Sequence, residues 1–239
     1  MAPFMDNPLL DSMMALRDDS QVPQLSRFFR ARPGQYGYGD QFLGIKVPVT
    51  RSVVGRLWNV VSIDQVELCL LSEYHEVRLA ALLTLVRRYE RAVSVDERHD
   101  LVRFYLAHTD YINNWDLVGL SCYKLLGDWL LDKDRSVLYE MARNSSHLWE
   151  QRIAIVSTLQ FIRHGQNDDT FRIADMLLYH SHDLIQKAVG WMLREAGKRD
   201  KEALVAFLNL RYRTMPRTML RYAIEKFPEE ERQLFLRRD

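Results

Sequence analysis

Helical periodicity at a constant spacing is the feature that most constrains how this chain folds. Apolar residues recur at intervals of three and four along nearly the whole sequence, and no alternating β-like run competes with that pattern. The second helices of three successive pairs begin near Trp115, Trp149 and Leu184, at intervals of 34 and 35 residues. That spacing is typical of stacked helical pairs. The sequence therefore predicts an all-α fold, an α-α solenoid in which one helix of each pair lines the concave face.

The same periodicity, broken by short polar turns, predicts where the helices lie. They cover residues 7–17, 22–31, 63–72, 77–91, 95–108, 114–131, 136–144, 148–164, 170–179, 184–198, 201–210 and 216–226. One more helix is expected to begin at Pro48, because proline is favoured in a first turn. We expect these helices to form a single domain over residues 1–239.

Composition excludes several classes of protein. With 239 residues and 47% hydrophobic content the chain can bury a sizeable core, and no apolar run reaches the length of a membrane span. The first ten residues lack a secretory signal, so a cytoplasmic location is expected. Cys69 and Cys122 are the only cysteines and both fall in apolar helical stretches, which indicates neither a disulfide framework nor a zinc site. We expect a monomer without metal or cofactor.

Residues 32–51 form the one long connection that is predicted to be non-helical. The connection holds four of the ten glycines and two of the seven prolines, and loops of this length are often functional. Lys46 and Arg51 close it with positive charge. A phosphate cradle formed by its glycines is a weak hypothesis, because no P-loop lysine pattern follows them. What the loop contacts is left open by the sequence.

The apolar stretch 111–131 carries a candidate site in its first turn. Asn113 or Asn114 is suited to cap the helix, and Asp116 then lies where the helix dipole favours negative charge. Trp115 and Gly119 are four residues apart and share a face, on which the glycine leaves space beside the indole. This face reads either as one wall of a pocket or as a capped core helix with a packing tryptophan.

The helix 184–198 combines a tryptophan with a row of basic residues. Lys187, Trp191, Arg194 and Lys198 lie on one stripe, expected to face solvent, with apolar residues on the opposite side. The plainer interpretation is an ordinary solvated face on which long lysines cover a half-buried indole.

Positive charge continues into the following helices. Arg217 and Arg221 are four apart in helix 216–226, and residues 187–226 contain ten basic against four acidic residues, a surplus of six in a chain whose formal net charge is +1. A concave basic groove suits the phosphate backbone of duplex DNA.

The predicted helix 148–164 carries one more candidate. Trp149 and Arg152 share a face of this helix. Arg152 is either part of the site or a structural ion-pair residue.

Four motifs together resemble the AlkD-like DNA alkylation repair family. They are NNWDLVG at 113–119, LWEQRIAIVSTLQFI at 148–162, LIQKAVGWMLREAGKRD at 184–200 and MPRTMLRYAIEKF at 215–227, and FLGIKVPVTR at 42–51 resembles the N-terminal signature of that family. The resemblance implies a HEAT-like superhelix that binds duplex DNA in its concave groove. Family enzymes hydrolyse the N-glycosyl bond of cationic alkylated purines, such as 3-methyladenine and 7-methylguanine, without flipping the base. The resemblance also implies a bacterial protein that is associated with the nucleoid through DNA.

The resemblance also assigns roles to individual residues. Trp115 and Trp191 resemble the tryptophans that pack on the sugar and backbone of the nucleotide, and Arg152 resembles the arginine that holds the phosphate. One position departs from the family pattern: where the family usually has its catalytic aspartate, this chain has Gly119. Asp116, one turn earlier, is the candidate for a substitute carboxylate, although it matches the family's own first aspartate.

Two functions from different classes follow. The first is an alkylpurine DNA glycosylase, slowed by Gly119. The second is a non-catalytic family member that binds distorted or branched DNA by shape. A third, a helical scaffold for protein partners, is disfavoured by the basic stripes.

Overall fold

The computed structural model describes residues 6–144 and 146–237, which form fourteen α-helices and confirm the all-α prediction. Within those ranges no strand occurs, and an isolated bridge joins Gln41 to Tyr74. The helices are α1 Pro8–Ala15, α2 Val22–Phe28, α3 Val47–Leu57, α4 Ile63–Leu70, α5 His75–Arg91, α6 Val95–Ala107, α7 Trp115–Gly119, α8 Ser136–Arg143, α9 Leu148–Arg163, α10 Asp168–Met176, α11 Asp183–Arg199, α12 Lys201–Asn209, α13 Arg217–Ala223 and α14 Glu229–Leu236.

The helices fall into two compact units, Met1–Ser121 and Cys122–Asp239. The expectation of a single domain stays a prediction. None of the helices in the described part of the chain is both long enough and apolar enough to cross a membrane.

Helix α5 is the centre of the N-terminal unit. It packs against α1, α3, α4, α6 and α7, and most of its side chains are buried, including the charged His75, Glu76 and Arg78. The loop between α2 and α3 is non-helical, but it ends at Lys46: the predicted connection extended to Arg51, and residues 47–51 belong to α3. The end of the loop is fixed by Glu76. The buried carboxylate accepts hydrogen bonds from the backbone N–H groups of Leu43, Gly44 and Ile45, at 2.9, 2.9 and 3.2 Å.

The C-terminal unit shows the repeat. Helix α11 packs against both α9 and α13, while α8, α10 and α12 lie alongside them. Helices α9, α11 and α13 begin at Leu148, Asp183 and Arg217, 35 and 34 residues apart. The spacing predicted from the sequence is therefore present in this unit.

Two elements differ from the predictions. The continuous helix expected over 114–131 is wrong: α7 ends at Gly119 and a π-helical turn spans Tyr123–Gly127. At the break, the Ser121 hydroxyl donates to the Leu117 carbonyl at 2.6 Å, a bond that competes with regular helix geometry. The helix α14 was missed, although Pro228 precedes it and three glutamates occupy its first turn.

Candidate nucleic-acid interface

Trp115 opens α7 and lies within an aromatic cluster. The Asn114 side chain caps the helix by accepting the Trp115 N–H at 2.9 Å. The indole is half-buried, stacks on Phe29 with ring centroids 5.5 Å apart and meets Phe28 edge-on at 5.6 Å. Phe29 is buried, whereas the side chain of Phe28 is 59% exposed. Trp115 is therefore supported from behind and flanked by a second aromatic ring that faces solvent.

Gly119 lies one helical turn beyond Trp115. A Cβ atom built on Gly119 has no heavy atom within 4 Å beyond its own helix and chain neighbours. The face shared with Trp115 is open at the position where the resemblance expects a carboxylate.

Asp116 points into the protein instead. The residue is 7% exposed; one carboxylate oxygen accepts the Leu117 N–H and the other lies 2.8 Å from the His75 Nε2. The second ring nitrogen of His75, Nδ1, lies 3.2 Å from an oxygen of Asp40, and Arg78 donates to the other Asp40 oxygen at 2.7 Å. These four side chains, Asp40, His75, Arg78 and Asp116, are named the His75 network below.

The pKa values in the His75 network follow from burial and charge. Burial lowers the pKa of His75, but the charge of Asp116 and the hydrogen bonds to both carboxylates raise that pKa to about 9. Burial alone would raise the pKa of Asp40. The hydrogen bond from His75 and the charge of Arg78 outweigh this effect, so the pKa of Asp40 is lowered. At neutral pH His75 is thus a cation that donates to both carboxylates. The Asp116 carboxylate is committed to this interaction.

Trp191 lies on α11 in the C-terminal unit. The indole is half-buried, as the stripe predicted. It lines an open cleft of about 390 Å³ together with Leu159, Ile162, Arg163, Glu195, Lys198 and Arg199. The cleft has an apolar floor and a mainly basic rim, a combination suited to a sugar-phosphate unit.

Arg152 lies on α9 and is buried. It is 7% exposed, and its guanidinium donates to the carbonyl of Leu184 in the first turn of α11. It therefore ties α9 to α11, and its predicted role on a phosphate stays a prediction.

The basic stripe of α11 is largely neutralised. Lys187 pairs with Asp183 at 2.6 Å and Lys198 with Glu195 at 2.9 Å. Arg194, expected to face solvent, is half-buried and pairs with Glu225 and with Glu195, and its predicted contact with DNA stays a prediction.

The other predicted DNA contacts differ in accessibility. Arg217 is half-buried and donates to the Leu236 carbonyl at 2.8 Å. Lys46, Arg51 and Arg221 are exposed, and no carboxylate in the described part of the chain pairs with them. Trp115 lies in the N-terminal unit and Trp191 in the C-terminal one, so their joint action on one nucleotide stays a prediction.

Comparison with known proteins decides the family. The DNA alkylation repair enzyme family matches the chain over residues 9–227. The chain belongs to this family. Its fold also resembles that of a predicted DNA alkylation repair enzyme from Enterococcus faecalis, at 17% sequence identity and a TM-score of 0.69, over 89% of this chain and 97% of that one. The comparison with curated proteins found no match.

Two parts of this DNA alkylation repair family member were not predicted from the sequence. Arg27, Arg30 and Arg32 are close to the exposed Phe28 in the sequence at the end of α2, and all three are exposed. The signal is present in the sequence, since no acidic residue occurs between Asp19 and Asp40. The His75 network was missed as well, because its members come from three separate segments. Within the described residues, no group of three or more His, Cys, Asp or Glu side chains is placed to hold a metal ion.

Proposed function

We propose that this DNA alkylation repair family member binds duplex DNA at the faces that carry Trp115 and Trp191. In this proposal it recognises alkylated or distorted nucleotides by shape and does not hydrolyse the N-glycosyl bond. One observation carries the proposal: Asp116 is held by His75 in the interior, while the face of α7 at Gly119 is open and bears no carboxylate.

The chemistry of N-glycosyl hydrolysis explains why this observation matters. The transition state resembles an oxocarbenium ion, and a nearby carboxylate stabilises it and orients the attacking water. Loss of one such electrostatic group commonly costs ~100- to 1000-fold in rate. The tryptophans and the exposed cations support binding, which needs no carboxylate.

The second candidate is the slow glycosylase. The open space at Gly119 favours it, because no neighbouring heavy atom lies within 4 Å of a Cβ position there and an approaching nucleotide meets no side chain at that point. Alkylated purines carry a positive charge of their own and leave readily, so binding and orientation alone accelerate their loss to some degree.

The test uses the whole protein and a duplex that contains one 7-methylguanine. Binding is followed by fluorescence anisotropy, and released base by chromatography, with protein in excess. We expect saturable binding, with release no more than ~10-fold above the spontaneous rate. Release more than ~10-fold above that rate would establish the slow glycosylase instead, and the absence of any DNA binding would contradict both candidates. Duplex DNA as the partner, the monomeric state and a cytoplasmic location belong to the same proposal.

A further inference from the structure

We infer that the end of α2 and the following loop form a binding site for unpaired nucleotides of a gapped or bulged duplex. The site consists of Arg27, Phe28, Arg30, Arg32 and Tyr38 and is named the α2 surface. The inference rests on the proposed DNA-binding function and adds to it a DNA form and a set of residues. All five side chains are exposed.

The charge of the α2 surface is unopposed. In the part of the chain that the structure describes, no hydrogen-bond or salt-bridge partner is seen for the guanidinium groups of Arg27, Arg30 and Arg32. The basic region at 187–226 differs, because six of its ten cations pair with carboxylates: Lys187, Arg194, Lys198, Lys201, Arg211 and Lys226. Three free cations without an acidic neighbour complement a phosphate backbone.

The aromatic rings of the α2 surface indicate which nucleotides it takes. Phe28 is 59% exposed and Tyr38 is 67% exposed. In an intact duplex the base faces are covered by their neighbours, so an exposed ring stacks only on a base that is unpaired. Cations interleaved with such rings are typical of single-strand binding. Phe28 also contacts Trp115, which places unpaired nucleotides beside the proposed site.

The backbone supplies an independent observation at Arg30. Helix α2 ends in a Schellman motif, in which the Ala31 N–H donates to the Ser26 carbonyl at 2.9 Å and the Arg30 N–H to the Arg27 carbonyl at 3.2 Å. Arg30 occupies the left-handed position of this motif with a φ of 51°, where glycine is the usual residue. A strained non-glycine residue of this kind marks functional sites more often than others.

Glycine at position 37 keeps the loop against the strained residue. The Gly37 N–H donates to the Arg30 carbonyl at 3.1 Å. A Cβ atom at Gly37 would lie 2.3 Å from the Phe29 carbonyl oxygen, so only glycine allows this approach. The backbone of the α2 surface is therefore held in a defined conformation by its own hydrogen bonds.

The test compares two labelled DNA duplexes of equal length, one intact and one with a three-nucleotide gap, by fluorescence anisotropy. We expect the wild-type protein to bind the gapped duplex about 10-fold more tightly, and the Tyr38→Ala variant and the Phe28→Ala/Tyr38→Ala variant to lose most of that preference. The affinity of Tyr38→Ala for the intact duplex is expected to stay within about 2-fold of wild type, because stacking on unpaired bases does not contribute there. Tyr38 is remote from the core, so its single variant separates stacking from folding.

The arginines are tested by substitutions that spare the fold. Arg30→Gly removes a charge and also relieves the left-handed backbone, so we expect an unchanged or higher melting temperature together with weaker binding of gapped DNA. Arg27→Gln/Arg32→Gln removes two more charges. The matched control is Arg103→Gln/Arg143→Gln, which removes the same charge from two exposed arginines elsewhere and is expected to leave the preference intact.

The outcomes separate this inference from the proposed function. Equal affinity of the wild type for both duplexes overturns the inference alone, as does a preference that survives in Tyr38→Ala, Phe28→Ala/Tyr38→Ala and Arg30→Gly. Failure to bind either duplex overturns the proposed function as well. A preference that is lost in these variants and kept in the control supports the α2 surface.

Discussion

The His75 imidazolium lies between Asp40 and Asp116, and this one side chain accounts for the position of Asp116. Removal of the cation from such a buried pair would leave an uncompensated carboxylate in the interior, which is strongly destabilising. Asp116 is therefore part of the support for α7, and the ring of His75 extends that support through Phe29, 4.3 Å away, to Trp115.

The His75 network makes stability depend on pH. Folding raises the pKa of His75 to about 9 from an unfolded value of about 6.5, so the native state holds its proton more tightly. The stabilisation is complete below pH 6.5 and is lost as pH rises through 9. We expect the free energy of unfolding, measured with urea, to fall by roughly 3 kcal/mol between these values.

A variant isolates this effect. His75→Gln is expected to be less stable at pH 6.5 and to lose the dependence, whereas His164→Gln, at an exposed histidine, retains it. Asp40 affects stability only at acid pH. Because its pKa is lowered in the folded protein, its stabilising contribution is lost as pH falls through that pKa. A wild type whose stability is flat between pH 6.5 and 9 would contradict a charged His75.

Trp191 is expected to serve binding more than folding. Because the indole borders an open cleft, Trp191→Ala is predicted to weaken DNA binding by about 10-fold. The same substitution is expected to lower the free energy of unfolding by less than the ~3 to 5 kcal/mol that is typical of a core aromatic residue. The matched control is Trp129→Ala, which removes another half-buried tryptophan, covered by Lys133 at 4.0 Å. Equal effects of the two substitutions on DNA affinity would show that the cleft has no special role.

At the scale of elements, Glu76 organises the loop that leads into α3. Its carboxylate accepts three backbone N–H groups, and Glu76→Gln replaces one accepting oxygen by a donor that faces donors. We expect a loss of at least about 1.5 to 3 kcal/mol, with faster amide hydrogen exchange at Leu43, Gly44 and Ile45. Glu73→Gln, three residues earlier, is the control. Unchanged amide hydrogen exchange at these residues in Glu76→Gln would show that the loop does not depend on the Glu76 carboxylate.

The elements also show what the sequence can predict. Apolar spacing located most helices, because helix formation depends on local periodicity. The break after Gly119 was not predicted, since it depends on Ser121 bonding back to Leu117 and on the close approach of Gly127 to the Ser157 carbonyl. In the His75 network, His75 contacts Asp40, 35 positions earlier, and Asp116, 41 positions later. Local sequence patterns do not predict contacts between residues so far apart.

Across the whole molecule, a basic residue is available to bind a phosphate only where no carboxylate pairs with it. The surplus of six at 187–226 predicted a strongly basic region, but most of those cations pair with carboxylates whose partners could not be read from the sequence. Exposed pairs of this kind stabilise little, and they reduce the charge available to DNA.

The salt dependence of DNA binding measures this free charge. Each phosphate contact contributes ~0.9 to the slope of log affinity against log salt. We expect Arg221→Gln, which removes an exposed cation, to reduce the slope by about 0.9. Arg217→Gln is expected to change it less, because Arg217 bonds to the Leu236 carbonyl. A wild-type affinity that does not vary with salt would contradict phosphate binding altogether.

In the proposed function, this member of the family is a DNA-binding scaffold that lacks only the carboxylate at position 119. Gly119→Asp builds that carboxylate into open space, on the face it shares with Trp115. Gly119→Asn is the matched control, since it has the same shape without the charge. Both substitutions are expected to be tolerated, because an interior helical glycine is itself unfavourable by roughly 0.5 to 1 kcal/mol relative to alanine.

The measurement is the single-turnover rate of 7-methylguanine release from duplex DNA, at matched occupancy, for wild type, Gly119→Asp and Gly119→Asn. We predict that Gly119→Asp releases the base at least ~10-fold faster than the other two, which is the lower part of what one electrostatic group contributes. Equal rates for Gly119→Asp and Gly119→Asn, in proteins that bind DNA and melt normally, would contradict this proposal.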